Sequence, residues 1–82
     1  MTILRQRMTD DMRVRNMSPH TQASYLLQVS QFARYFGKSP DKLGTEDIRA
    51  YQVYLTNERK LAPGSIHVAV AGLRFFYRVT LK

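Results

Sequence analysis

Two short runs in this chain hold the side chains best suited by type and spacing to meet an anion: Ser18-Pro19-His20-Thr21 and Ala62-Pro63-Gly64-Ser65. Each reads as a helix start, because proline's fixed φ is already helical and its missing N–H is not needed in a first turn. The amides left free there, with the positive end of the helix dipole, attract phosphate. Thr21 and Ser24 in one run, and Ser65 and His67 in the other, are short polar groups able to approach a groove. Thr21 and Ser65 are equally suited to capping their own helices.

Catalytic chemistry finds little support. Asp10-Asp11 fall on a charged helix face and Glu46-Asp47 are accounted for by a helix start, so both pairs read as solvated and unsuited to general-acid work. With one glycine and the wrong spacing, Ala62-Pro63-Gly64-Ser65 is no phosphate-cradling loop. Tyr25, Tyr51 and Tyr77 lie on apolar seams, where a tyrosine serves as a core aromatic with its hydroxyl at the rim. No cysteine is present, and His20 and His67 stand alone, so neither a thiolate nor a closed zinc site is expected and no metal or cofactor is called for.

Eighty-two residues make one domain, near the lower size at which a single core holds without staples. Thirteen Lys and Arg against six Asp and Glu leave a net charge of +7, the footprint of a phosphate-binding surface, although the basic residues are dispersed. No apolar run approaches the roughly 18 residues of a membrane span, and Met1-Thr2-Ile3-Leu4-Arg5 lacks the core of a secretory signal, which leads us to expect a cytoplasmic protein.

Four helices must position these residues. Leu4, Met8 and Met12 at four-residue steps predict a first helix over about 3–15, with a narrow, methionine-rich and weakly packing seam. Ser18 should cap a second helix that carries Tyr25, Val29, Phe32 and Phe36 inward and ends at Gly37. A loop follows, with Leu43 tucked into the core, and Thr45 should cap a third helix whose seam is Ile48, Tyr51 and Leu55. Pro63 opens a fourth helix, to about Thr80, that is apolar nearly all round. Ile66, Ala69, Val70, Leu73, Phe76 and Tyr77 face inward, while Val68, Phe75 and Val79 form a second stripe that is either sandwiched within the bundle or meets another domain or subunit. No strand alternation or repeat appears, so an all-α bundle is the economical architecture.

In their order and spacing these segments resemble the N-terminal core-binding domain of tyrosine recombinases, the phage integrases. The residues that carry the likeness are Ser18-Pro19-His20-Thr21 with Tyr25 and Phe32, Thr45-Glu46-Asp47-Ile48-Arg49-Ala50-Tyr51 with Leu55, Leu61-Ala62-Pro63-Gly64-Ser65-Ile66, and Leu73-Arg74-Phe75-Phe76-Tyr77. The resemblance spans the chain and implies a compact SAM-like bundle of four helices that forms half of a C-shaped clamp on recombination-site DNA. By the same resemblance, the second and fourth helices meet the major groove, through His20, Thr21, Gln22, Ser24, Gln28, Ser65, His67 and Arg74. Gln22 and Gln28 are the side chains best shaped for base contacts. The family's Arg, Lys, His, Arg set and tyrosine nucleophile belong to a separate C-terminal domain, so none of the five tyrosines here inherits that role. Partners implied are double-stranded DNA, that catalytic domain, and other protomers on DNA. Val68, Ala71 and Gly72 stand where polar contacts would be natural, which argues against base reading from the middle of the fourth helix.

The rival reading is a protein-interaction bundle that docks a partner through the Val68, Phe75 and Val79 stripe without binding DNA. A helix-turn-helix is disfavoured, because the second and third helices are separated by Gly37 through Gly44 rather than by a tight turn.

Overall fold

A computed structural model describes residues 2–81. Its helices are α1 (Thr2–Val14), α2 (Pro19–Phe36), α3 (Thr45–Asn57) and α4 (Pro63–Phe75), with a 3₁₀ turn at Pro40–Lys42 and a π-helical continuation of α4 over Phe76–Leu81. There is no strand among the described residues, and the architecture is the all-α, SAM-like four-helix bundle. None of these helices is long and apolar enough to cross a membrane.

The ends of α2 follow the local chemistry. Ser18 adopts an extended conformation and its Oγ accepts from the Thr21 amide at 3.2 Å, with Pro19 as first helical residue. Gly37 closes the helix at φ +64, a left-handed position that costs other residues a Cβ clash, and Gly37 and Lys38 donate back to Arg34 and Ala33.

α3 departs by one residue from the expected start. Gly44 occupies the cap and Thr45 is already helical; the cap's own N–H is satisfied by the Asp47 carboxylate, which reaches back to it at 2.8 Å. The Asp47 carboxylate, one turn into the helix, thereby marks Gly44 as the cap, and no hydroxyl accepts from the first-turn amides as a capping Thr45 would have done.

The core joins all four helices. Val29 and Phe32 from α2, Ile48, Tyr51 and Leu55 from α3, and Ala69, Leu73 and Phe76 from the α4 segment are buried together. The Phe32 ring lies edge-on to Phe36, Tyr51 and Tyr77 at 5.2 to 6.3 Å. Complete burial of such a side chain contributes about 1.5–3 kcal/mol. Leu43 packs half-buried against this cluster from its loop, as expected.

α1 is not a weakly packed helix. Met8 and Met12 are both 0 % exposed, because flexible thioethers fill the irregular space between α2 and the end of α4. Asp11 is also not the free surface acid expected: its Oδ2 accepts from the buried Thr80 hydroxyl at 2.9 Å, and Arg7 donates to the Thr80 carbonyl at 2.9 Å.

The fourth helix also differs from a single α-helix running to residue 80. From Phe76 the turn widens to π, which sets Phe76 and Thr80 inward and lets the Tyr77 hydroxyl donate to the Pro40 carbonyl at 2.5 Å. Its second apolar stripe is divided. Phe75 is half-buried, 6.1 Å from the Tyr25 ring with the Arg15 guanidinium 5.6 Å from its centroid; Val79 is half-buried; Val68 remains 38 % exposed.

Candidate nucleic-acid interface

The turns that introduce α2 and α4 are built alike. Each begins with a non-glycine residue in the left-handed region, Asn16 at φ 56 and Lys60 at φ 51. An apolar residue follows, Met17 or Leu61, packed half-buried against the core. Next comes an extended cap, Ser18 at φ −64, ψ 149 or Ala62 at φ −62, ψ 149, and then the proline. The same three-residue spacing from left-handed residue to proline therefore launches both helices.

The two launches are not equivalent in capping. Ser18 accepts from the Thr21 amide and donates to the Thr21 hydroxyl at 2.9 Å, so part of the polar capacity at α2 is used locally. Ala62 has no side-chain acceptor to offer, and Ser65 serves no capping role in its place. In the first turn of α4 the Ser65 amide donates instead to the Ala62 carbonyl at 3.0 Å, so the backbone takes the place of the missing side-chain cap.

The helices cross where Gly72 meets Tyr25. A Cβ built on Gly72 would stand 3.3 Å from the Tyr25 Cα and 3.2 Å from its ring, tighter than an ordinary contact, so the missing side chain lets the helices approach closely without displacement. Beyond the crossing, contacts advance together along both helices, from Tyr25 with Phe75 to Phe32 with Tyr77. The amino ends of α2 and α4 thus lie toward the same side of the bundle, about 9 Å and about 14 Å along their axes from the crossing.

Beside the crossing opens a groove of about 410 Å³, walled by Met17 and Tyr25 on one side and by His67, Arg74, Phe75 and Arg78 of the α4 segment on the other. His67, Ala71, Arg74 and Arg78 form one ridge of the α4 segment, and the three polar members are exposed. The small Ala71 in mid-ridge leaves the helix surface low between His67 and Arg74.

The eight residues expected at an interface are not all equivalent. His67 and Arg74 share this groove, and His20 and Ser65 are exposed in the two first turns. Thr21, Ser24 and Gln28 are half-buried along one flank of α2. Gln22 donates one amide N–H to the Met17 carbonyl at 2.8 Å, tying the entry turn together and leaving its second N–H and its Oε1. Arg78 and the Met17–Tyr25 wall were not singled out from the sequence. The placement of Arg78 one turn beyond Arg74 was the available signal for it. Among the described residues no group of three or more His, Asp or Glu is placed to hold a metal ion.

Comparison with known proteins agrees with the fold. Residues 4–82 match the family described as phage integrase, N-terminal SAM-like domain. A relative from Sinorhizobium fredii named integrase/recombinase y4qK is 71 % identical over all 82 residues, which cover 27 % of that protein. An integrase/recombinase of Escherichia coli is 35 % identical over 66 residues, 79 % of this chain and 20 % of its own length. The chain thus spans about a quarter of these relatives or less. No solved structure matches it.

Proposed function

The chain belongs to the phage integrase N-terminal SAM-like domain family, and from that premise and the geometry we propose that it is a core-binding domain that holds duplex DNA for a tyrosine-type recombinase. The observation that carries this reading is a groove in which His67, Arg74 and Arg78 of the α4 segment lie opposite Met17, at the entry to proline-opened α2, and Tyr25. Backbone amides at the helix ends and the arginine forks suit phosphate oxygens, and so would fix the protein on the duplex without selecting sequence.

In this reading residues 1–82 form a single DNA-binding domain that contributes affinity and orientation. Strand cleavage and rejoining belong to a catalytic domain of the same longer protein, and other protomers assemble on the DNA. The site of action is the cytoplasm, where the DNA is. His20, Thr21, Gln22, Ser24 and Gln28 on α2, and Ser65, His67 and Arg74 on α4, are the proposed contacts, with Gln22 also holding the α2 entry through the Met17 carbonyl. Gln28, half-buried beside Ser24, is the better candidate for any base contact.

Fluorescence anisotropy with a short duplex tests the reading. Binding should weaken steeply with salt, each neutralised phosphate contributing about 0.9 to the log–log slope, so Arg74 and Arg78 alone give a slope near about −2. A flat salt response would refute it, as would amide shifts on duplex addition that bypass residues 20–28 and 65–78. Stable self-association with no DNA binding would favour the interaction bundle instead.

A further inference from the structure

On the other flank of the α4 ridge lies a second, larger groove of about 640 Å³ between α3 and the α4 segment. We propose that it is an additional seat for the DNA sugar-phosphate backbone, with Arg49 of α3 joining Arg74 and Arg78 as its cationic lining. The proposal rests on the DNA-binding reading above and extends the interface to a helix that neither the entry turns nor the α2–α4 groove includes.

Three features point to an anion. None of the residues lining the groove is acidic, although three guanidinium groups share it. Arg74 and Arg78 bring two like charges to one groove, and their mutual repulsion costs the free domain something that a bound anion would offset. The rest of the polar lining, Thr45, Gln52, Thr56, Asn57 and Tyr77, is neutral; Thr56 and Tyr77 spend their hydroxyl protons on the Gln52 and Pro40 carbonyls, and the amides of Gln52 and Asn57 are of the kind that donates to phosphate and sugar oxygens.

Continuity points to DNA rather than to a small anion. Arg74 and Arg78 line both grooves, so the ridge is a shared wall and a backbone lying across it meets the two grooves in succession. From His67 to Arg78 the ridge extends about 16 Å, matching the axial rise of about five nucleotides of one strand. Planar guanidinium forks on both sides of a groove engage successive phosphates bidentately, which a compact ammonium does not.

The test compares salt titrations of the 82-residue chain with those of Arg49→Gln, Arg78→Gln and Arg49→Lys, and with Arg34→Gln as an exposed control of equal charge loss at the far end of α2. Helical circular dichroism verifies that every variant is folded. Arg49→Gln and Arg78→Gln should each flatten the log–log slope by about 0.9, which shrinks the affinity ratio between 50 and 200 mM salt about 3- to 4-fold. Arg49→Lys should retain the slope, and Arg34→Gln should leave it unchanged. An unaltered slope for Arg49→Gln overturns the proposal while leaving the parent reading intact, and assigns the groove to some other occupant such as an acidic peptide. Equal flattening by Arg34→Gln also overturns it, by reducing the effect to net charge. Absence of salt-dependent binding by the unsubstituted chain refutes the parent reading, and this one with it.

Discussion

Replacing Gly72 by alanine tests the helix crossing on which the interface depends. The added Cβ would meet the Tyr25 ring at 3.2 Å and, more importantly, the Tyr25 Cα at 3.3 Å. A ring can swing by a few tenths of an ångström, but a backbone atom cannot yield without moving α2. Overpacking of this kind costs about 1–3 kcal/mol, against a gain of about 1 kcal/mol from replacing glycine with alanine inside a helix. The net expectation is destabilisation of up to about 2 kcal/mol, a fall in Tm of roughly 4–8 °C per kcal/mol in a domain of this size. Gly64→Ala in the first turn of the same helix supplies the control, because nothing lies within 4 Å of its new Cβ. It should be neutral or stabilise by up to about 1 kcal/mol. Urea unfolding followed by circular dichroism measures both. If Gly72→Ala proves as stable as Gly64→Ala, the close approach of α2 and α4 is wrong, and the shared orientation of their amino ends loses its anchor.

Two further outcomes follow from the clasps around the π-helical end. Burial, with Asp47 and Asp41 adding to it, pushes the Tyr77 hydroxyl up from its ordinary value near 10 to about 12. A raised folded value means the stabilisation is complete below pH 10 and disappears as pH climbs toward 12. Partial exposure of Tyr77 cuts the linked energy to about 1 kcal/mol. Alkaline unfolding of the parent and of Tyr77→Phe should therefore converge between pH 10 and 12, and a pH-independent gap would contradict the burial of the Tyr77 hydroxyl. At the other side, a double-mutant cycle of Asp11→Asn with Thr80→Val should show a coupling of about 1–2 kcal/mol, because a buried hydroxyl donating to a carboxylate is a charge-assisted bond. Additive losses would mean that the Asp11–Thr80 bond adds nothing to what the methionines and the Arg7–Thr80 contact already supply to α1.

Helix number, order and most boundaries were legible because their signals are local. Ser18 and Pro19 act within one turn of themselves, and Gly37 stops α2 through its own backbone conformation. The one-residue error at α3 has the same origin in reverse, since threonine is a good cap in isolation but Asp47 outcompetes it by reaching back to Gly44. The strength of α1's packing was misjudged for a different reason. A sequence shows that Met8 and Met12 share a face, but not that the space awaiting them is irregular enough to need flexible side chains. Asp11 looked solvated because its partner, Thr80, is 69 residues away.

Of the candidate site, the sequence marked the two helix starts and the residues in their first turns, and the charge pointed to an anionic partner. It could not show that Gln22 is engaged by the Met17 carbonyl, nor that Arg49 comes to face Arg74 and Arg78 across a groove. Periodicity states which residues of a helix share a face, and therefore what each helix can bury or present. Which faces meet, how closely they approach and which cations share a surface depend on where helices cross. That is decided by contacts such as Gly72 on Tyr25, between residues 47 positions apart, whose partners only the folded chain brings together.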